Sequence, residues 1–195
     1  QEGGTALAQM LFGEYSPSGK LPVSFERRWQ DNGAHDSYYP RGAEKKVVYA
    51  EGLFLGYRHF EKAGVKPLFP FGFGLSYTTF AYKKLSITPA HAAGDQTVSV
   101  SFDVTNTGHR AGAEVAEVYV GETHSSVPRP VKELKGFQKV RLDAGESRHV
   151  TITLDRRAFA YYNIENHDWT VDAGEFSVFV GSSAEQIELT DKISR

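Results

Sequence analysis

Hydrophobic and polar positions change rhythm twice along this chain. In residues 5–12, Leu7, Met10 and Leu11 recur at helical spacing, Thr5 stands where a cap would, and Gly13 supplies a left-handed stop, so the last turns of a helix are expected. Ser16-Pro17-Ser18-Gly19 reads as a turn, and Leu21, Val23 and Phe25 alternate with polar neighbours as in a short strand. One helix and one strand cannot bury their apolar faces on each other alone, so this piece calls for a partner domain. Residues 26–46 are polar and irregular, with turn signals at Asp31-Asn32-Gly33 and Tyr39-Pro40-Arg41-Gly42. From Val47 to Phe80 the chain is rich in aromatics, and its glycines and prolines interrupt every helical or strand period. A segment so apolar and irregular is expected to pack as a tether along a larger surface.

From about residue 82 the period becomes two. Val98, Val100, Phe102 and Val104 alternate with Ser99, Ser101, Asp103 and Thr105, the pattern of a strand with one buried face. Further strands are expected at Val115–Val120, at Leu134–Leu142 as one or two, around Val150, Ile152 and Leu154, around Phe176, Val178 and Val180, and at Ile187–Leu189 as a last edge. Asn106-Thr107-Gly108 is a turn. The turn Asp-Ala-Gly-Glu occurs at 143–146 and again at 172–175, and one corner geometry with glycine at positive φ is expected for both. The fold class that follows is mainly β: an immunoglobulin-like or fibronectin-like antiparallel sandwich over 81–195, preceded by a helix–strand remnant of an α/β domain (1–46) and an irregular aromatic tether (47–80).

Composition narrows the chemistry. The 195 residues are 40% hydrophobic and 24% charged, with a formal charge of −2 and scattered basic residues, which gives no electrostatic footprint for nucleic acid. Cysteine is absent, so disulfides, thiolate ligands and thiol nucleophiles are excluded. No apolar run approaches the roughly 18 residues of a membrane helix. The absence of an initiating methionine before Gln1-Glu2-Gly3-Gly4 leads us to expect that the natural N-terminus lies elsewhere.

Candidate sites are few. His35, His59, His91, His109, His124, His149 and His167 show no metal-ligand spacing, and solvated or capping roles are the expectation. Gly72-Phe73-Gly74-Leu75-Ser76 lacks the third glycine of a phosphate cradle and reads as a tight turn between packed aromatics, while Ser76 has no nucleophile-elbow partner. No catalytic, cofactor-binding or metal-binding residue is assigned and no cofactor is expected. Tyr161, Tyr162 and Trp169 fill the sandwich core and its rim in the preferred account; exposed together on one face, they would make a carbohydrate-binding module.

Several of these segments resemble family 3 glycoside hydrolases. Gln1-Glu2-Gly3-Gly4 with Ala6, Ala8, Leu11-Phe12-Gly13 and Pro17-Ser18-Gly19-Lys20-Leu21-Pro22 is similar to the end of that family's second domain. Tyr49-x-Glu51-Gly52-Leu53-Phe54-x-Gly56-Tyr57-Arg58 resembles its domain-linking segment, and Pro70-Phe71-Gly72-Phe73-Gly74-Leu75-Ser76-Tyr77-Thr78-x-Phe80 the start of its fibronectin type III-like third domain. Asn106-Thr107-Gly108, Pro130-x-Lys132-Glu133-Leu134-Lys135-Gly136-Phe137 and Ala144-Gly145-Glu146 match as well. The resemblance implies a retaining, exo-acting glycosidase, typically a β-glucosidase and sometimes a β-xylosidase, with a carboxylate nucleophile and a carboxyl acid/base. Both belong to regions outside this chain, so it is expected to be inactive alone and to stabilise and position the catalytic domains. It further implies that the partners are the missing catalytic domains, that β-linked oligosaccharide is met only through the parent enzyme, and that the compartment is periplasmic or extracellular. Neither nucleic acid nor membrane is an expected partner. A homodimer or protein-interaction role is the alternative, and an interface role is expected for Tyr57 and Arg58. The loop 123–131, with Pro128 and Pro130, is a candidate to reach a neighbouring domain or subunit.

Overall fold

The structure, a computed structural model, describes residues 2–40 and 45–195, so part of the turn expected at Tyr39-Pro40-Arg41-Gly42 lies outside the described residues. Helix α1 covers Gly3–Leu11 and α2 covers Tyr57–Ala63. The strands are β1 (Phe80–Thr88), β2 (Val98–Asn106), β3 (Gly112–Glu122), β4 (Glu133–Leu142), β5 (Ser147–Leu154), β6 (Tyr161–Asn163), β7 (Asp168–Thr170), β8 (Glu175–Gly181) and β9 (Ile187–Ser194). They form one sheet in the order β1-β2-β5, a second in the order β4-β3-β8-β9, and a small β6–β7 hairpin, with every pairing antiparallel. This is the mainly β sandwich that the alternation implies.

The core lies between the two larger sheets. Val98, Val100, Phe102 and Val104 of β2 and Val150, Ile152 and Leu154 of β5 face Ala116, Val118 and Val120 of β3 and Phe176, Val178 and Val180 of β8, all buried in one cluster. Each full burial of such a side chain contributes about 1.5–3 kcal/mol, which is why the period-two signal fixes these strands and their inward face. The Leu134–Leu142 segment is one strand with a bulge opposite Val118/Tyr119.

Five expectations need correction. Lys20–Phe25 is not a regular strand. It lies against 68–73 of the tether, with hydrogen bonds from Leu21 N–H to the Phe73 carbonyl (2.8 Å) and Phe25 N–H to the Phe69 carbonyl (2.8 Å), and one isolated antiparallel bridge at Phe25–Phe69. Pro22 offers no N–H within this run, which breaks a ladder before it can form. The tether is not free of helix, because α2 is enclosed between Gly56 (φ +59°) and Gly64 (φ +64°); those glycines end the helix without preventing it. The two Asp-Ala-Gly-Glu corners differ. Gly145 takes φ +77°, whereas Gly174 has no positive φ and instead exchanges both backbone hydrogen bonds with Arg195 (2.8 Å each). Tyr161, Tyr162 and Trp169 lie on the β6–β7 hairpin, outside the core cluster, with Tyr162 exposed. Thr5, finally, makes no side-chain cap for α1, whose N-cap is Glu2.

Candidate interdomain interface

The site of interest begins on the outer face of the four-stranded sheet. Along β3, Ala116, Val118 and Val120 point into the core, so Glu117 and Tyr119 point the other way, yet both are buried. What covers them is the tether. The Tyr57 ring sits 5.9 Å from Tyr119 and 5.1 Å from Phe71. Gly72, at φ +82°, passes so close that a Cβ there would stand 2.6 and 2.7 Å from the Glu117 carboxylate oxygens and 2.8 Å from the Ser183 Cα.

Polar contacts fix the orientation of this strap. The Tyr57 hydroxyl accepts the Leu134 N–H at 2.9 Å, closing a donor on the sheet-edge strand β4 that would otherwise invite strand pairing. Arg58 pairs with Glu133 at 3.1 Å, and Lys132 reaches Glu61 on the same helix. One turn of α2 thus presents Tyr57, Arg58 and Glu61 to the three residues Lys132–Leu134, giving Tyr57 and Arg58 an interface role toward the sandwich itself. Glu133 continues the network to Arg129 (3.4 Å), whose side chain is 5% exposed and bonds Glu122 at 2.9 Å and the Phe159 carbonyl at 3.0 Å. The centre of the 123–131 loop is therefore folded onto its own domain.

The remnant is fastened by Lys20. Its ammonium lies 2.8 Å from Glu114 and donates to the Ser182 carbonyl at 2.9 Å, so a residue from the first segment is tied to β3 and to the loop after β8. Lys139 of β4 adds a bond to the Ser18 carbonyl at 3.2 Å and to its hydroxyl at 2.9 Å. Farther on, Thr78 Oγ1 donates to the buried Asn106 side chain at 2.5 Å, locking the end of the tether into the Asn106-Thr107-Gly108 turn.

Burial pushes the Glu117 carboxyl above its ordinary value of 4.5, against the Tyr119 hydroxyl that hydrogen-bonds it and the Lys20 charge nearby. A carboxyl raised on folding binds its proton more tightly in the folded state. Its stabilising contribution is present below about pH 4.5 and is lost as pH rises through the raised folded value. Thermal midpoints measured across that interval are expected to fall with rising pH more steeply in the native protein than in Glu117→Gln. Parallel curves for the two proteins would refute this.

On its far side the same unit is open. α1 contributes no buried residue, and Leu7, Leu11 and Phe12 are 54%, 70% and 85% exposed. A cavity of about 610 Å³ is lined by Met10, Pro17, Leu21, Phe25, Phe69 and Phe73. Among the described residues, all the exposed large hydrophobics except Val131, Phe137, Tyr162 and Ile164 fall before residue 80. The exposed apolar area is thus concentrated on one piece of the chain rather than scattered over the sandwich.

Among the described residues no group of three or more His, Asp or Glu side chains could hold a metal ion. His59 Nε2 donates to the Asp31 carbonyl (3.1 Å), and His149 pairs with Asp103 (2.8 Å), so these two histidines serve local structure. Ser76 bonds Ser16 (3.0 Å). Gly72 and Gly74 serve close approach, the latter because a Cβ would stand 2.4 Å from the Gly19 carbonyl.

Comparison with known proteins places these features. The family model of the glycosyl hydrolase family 3 C-terminal domain matches residues 1–57, and that of the fibronectin type III-like domain matches residues 114–184. The chain matches the C-terminal part of glycoside hydrolase family 3. It is 46% identical over 190 residues to thermostable beta-glucosidase B of Acetivibrio thermocellus, an alignment that takes in 97% of this chain and 25% of that protein. The crystal structure of a Bifidobacterium adolescentis family 3 beta-glucosidase superposes with a TM-score of 0.92 at 42% identity, over 100% of this chain and 28% of that one. Beta-glucosidase 3B from Thermotoga neapolitana, solved in complex with glucose, gives 0.90 at 38% identity over 100% and 27%. The chain thus spans about a quarter of the length of the curated relatives it matches, and corresponds to the C-terminal portion of family 3 enzymes.

The α2 contacts could not have been assigned from the sequence, which offers only a Tyr57-Arg58 pair and a separate Lys132-Glu133-Leu134 run with no sign that they meet. Lys20 and Gly72 were legible as motif residues, without their partners.

Proposed function

We propose that this chain is the non-catalytic C-terminal part of a retaining, exo-acting β-glucosidase, in which the sandwich and its strap stabilise and position the catalytic domains. In this reading 1–46 completes an α/β domain, 47–80 is the strap and 81–195 the fibronectin type III-like module. The observation that carries it is the two-sided character of residues 1–80: a polar and aromatic inner side fastened to the sandwich by Lys20, Tyr57, Arg58, Glu61 and Gly72, and an apolar outer side open around Phe25, Phe69 and Phe73. A unit bound on one side to a rigid sandwich and apolar on the other is suited to transmit position from module to catalytic body. A displacement of about 1 Å at an active site can cost on the order of 100-fold in rate, so positioning is a sufficient role.

The test is an assay of the purified chain, and separately of the whole enzyme, with aryl β-glucoside and aryl β-xyloside. The chain alone is expected to hydrolyse neither, whereas the whole enzyme turns over the glucoside and loses activity when the Lys20 and Tyr57 attachments are removed together. Turnover by the chain alone would mean that a catalytic pair lies within it. The carbohydrate-binding alternative finds less support: Tyr162 and Trp169 meet edge to face at 72°, and the Arg157 guanidinium lies 3.9 Å from the Trp169 ring centroid, so the hairpin presents no flat stacking platform.

A further inference from the structure

We propose that a small polar cavity between the first segment and the sandwich is a binding site for a tetrahedral oxyanion, phosphate or sulfate, held by Arg110 and Arg141. The cavity measures about 210 Å³ and is lined by Tyr15, Ser16, Ser18, Tyr77, Arg110 and Arg141. That is below the roughly 300–1,000 Å³ of sites for drug-sized molecules, so it suits an ion with a few waters rather than a sugar. Its wall joins three parts of the fold: the turn after α1, the end of the tether, and the β3–β4 pair, in which Arg141 stands opposite Ala113.

The two guanidiniums reach this cavity for different local reasons. In β4, Val140 and Leu142 turn into the core, so Lys139 and Arg141 take the outer face. Lys139 is engaged by Ser18, whose carbonyl and hydroxyl it bonds. Arg141 makes no hydrogen bond or ion pair among the described residues. Arg110, by contrast, is fixed. It donates to the Gly13 carbonyl at 3.0 Å, and its guanidinium carbon lies 5.9 Å from the centroid of the Tyr77 ring, which is itself tied to the Met10 carbonyl at 2.8 Å. Its other N–H groups find no acceptor among the described residues. Charge here is lopsided. Arg110, Arg141 and Lys139 are all cationic, whereas Glu114 is held by Lys20 at 2.8 Å, and Glu14, the one acid on the cavity wall, forms no ion pair among the described residues. Two guanidiniums beside one small cavity repel each other when only water lies between them. An oxyanion replaces that repulsion with charge-assisted hydrogen bonds to the planar N–H forks. Bound there, it fastens residues 13–18 to β3 and β4 beside the Lys20 attachment.

The test is the thermal midpoint of the full 195-residue chain in sodium sulfate or sodium phosphate, against sodium chloride of the same ionic strength, for wild type, Arg141→Gln and Arg148→Gln. Arg148 lies on β5, pairs with Glu146 and does not line the cavity, so its variant repeats the charge change elsewhere. In chloride, Arg141→Gln is expected to melt at or slightly above the wild-type midpoint, because it removes a cation that has no partner. In about 50 mM sulfate or phosphate, wild type and Arg148→Gln are expected to gain about 3 °C more than Arg141→Gln, the shift for an anion at roughly ten times its dissociation constant. Both anions also stabilise proteins through exclusion from the surface, an effect that acts on all three proteins alike. Equal gains in wild type and Arg141→Gln therefore overturn the proposal. An equal loss of the gain in both variants overturns it as well, because it reports net charge rather than a site. A midpoint for Arg141→Gln that falls below wild type in chloride does the same, since Arg141 would then have a structural partner within the chain.

Discussion

Replacing Arg129 by methionine is expected to destabilise the sandwich by about 3–5 kcal/mol, because it strands a carboxylate in the interior. Glu122, at the end of β3, has a side chain only 1% exposed, and its ion-pair partner is the Arg129 guanidinium at 2.9 Å. Arg129 also satisfies the Phe159 carbonyl at 3.0 Å and the Ala160 carbonyl at 3.4 Å, so two backbone acceptors lose their partner in the same substitution. Removing both charges should be far milder. The double variant Glu122→Leu/Arg129→Met exchanges a desolvated pair for apolar contact and is expected to recover most of the loss. Urea unfolding of the three proteins measures this directly, with the slope checked for constancy. A single Arg129→Met variant within about 1 kcal/mol of wild type would show that Glu122 finds water in solution, and the buried-pair account would fall.

Gly72→Ala carries the second large effect, and it falls on the strap rather than on the core. Two penalties add. At φ +82° a Cβ-bearing residue is strained by about 1–2 kcal/mol, and the added methyl meets both Glu117 oxygens and the Ser183 backbone well inside contact distance, an overpacking cost of about 1–3 kcal/mol. The expected outcome is release of residues 68–74 from the outer face of β3, seen as new proteolytic cleavage between α2 and β1 while the sandwich stays folded. Shortening Glu117 should relieve only the part of the clash it causes, so Gly72→Ala/Glu117→Ala is expected to recover partially, with the φ penalty left in place. In the whole enzyme, where the strap is proposed to couple the module to the catalytic domains, the single variant should lower kcat. If the strap of Gly72→Ala resists protease as wild type does, the close approach at Glu117 does not govern docking.

These two sites mark the boundary of what the chain reveals before folding. Arg129 sits between two prolines in a segment whose composition suggested an outward-reaching loop; that it turns inward depends on Glu122, seven residues earlier, becoming buried with the Arg129 guanidinium against it. Gly72 was visible as one glycine of a tight turn, but its necessity comes from Glu117, and Glu117 is covered only because β3 shows its second face to the strap. The same holds for α2. Its glycine brackets read locally as interruptions, and the helix gains its stability from packing Phe60 inward and Tyr57 against Tyr119.

The sequence by itself determined the sandwich, its inward-facing residues and the family, because alternation with period two and contiguous motifs are local properties that survive without knowledge of neighbours. It also determined that the first eighty residues carry more apolar surface than they can bury among themselves. Only the tertiary structure decided which face of that segment is fastened and which is left open. Lys20 with Glu114, Tyr57 with Leu134 and Gly72 with Glu117 are separated by 45 residues or more in every case, and such pairings arise when the folded sheet brings a second, otherwise polar face into register with the strap. Periodicity specifies that a strand has two faces; packing chooses what meets each of them.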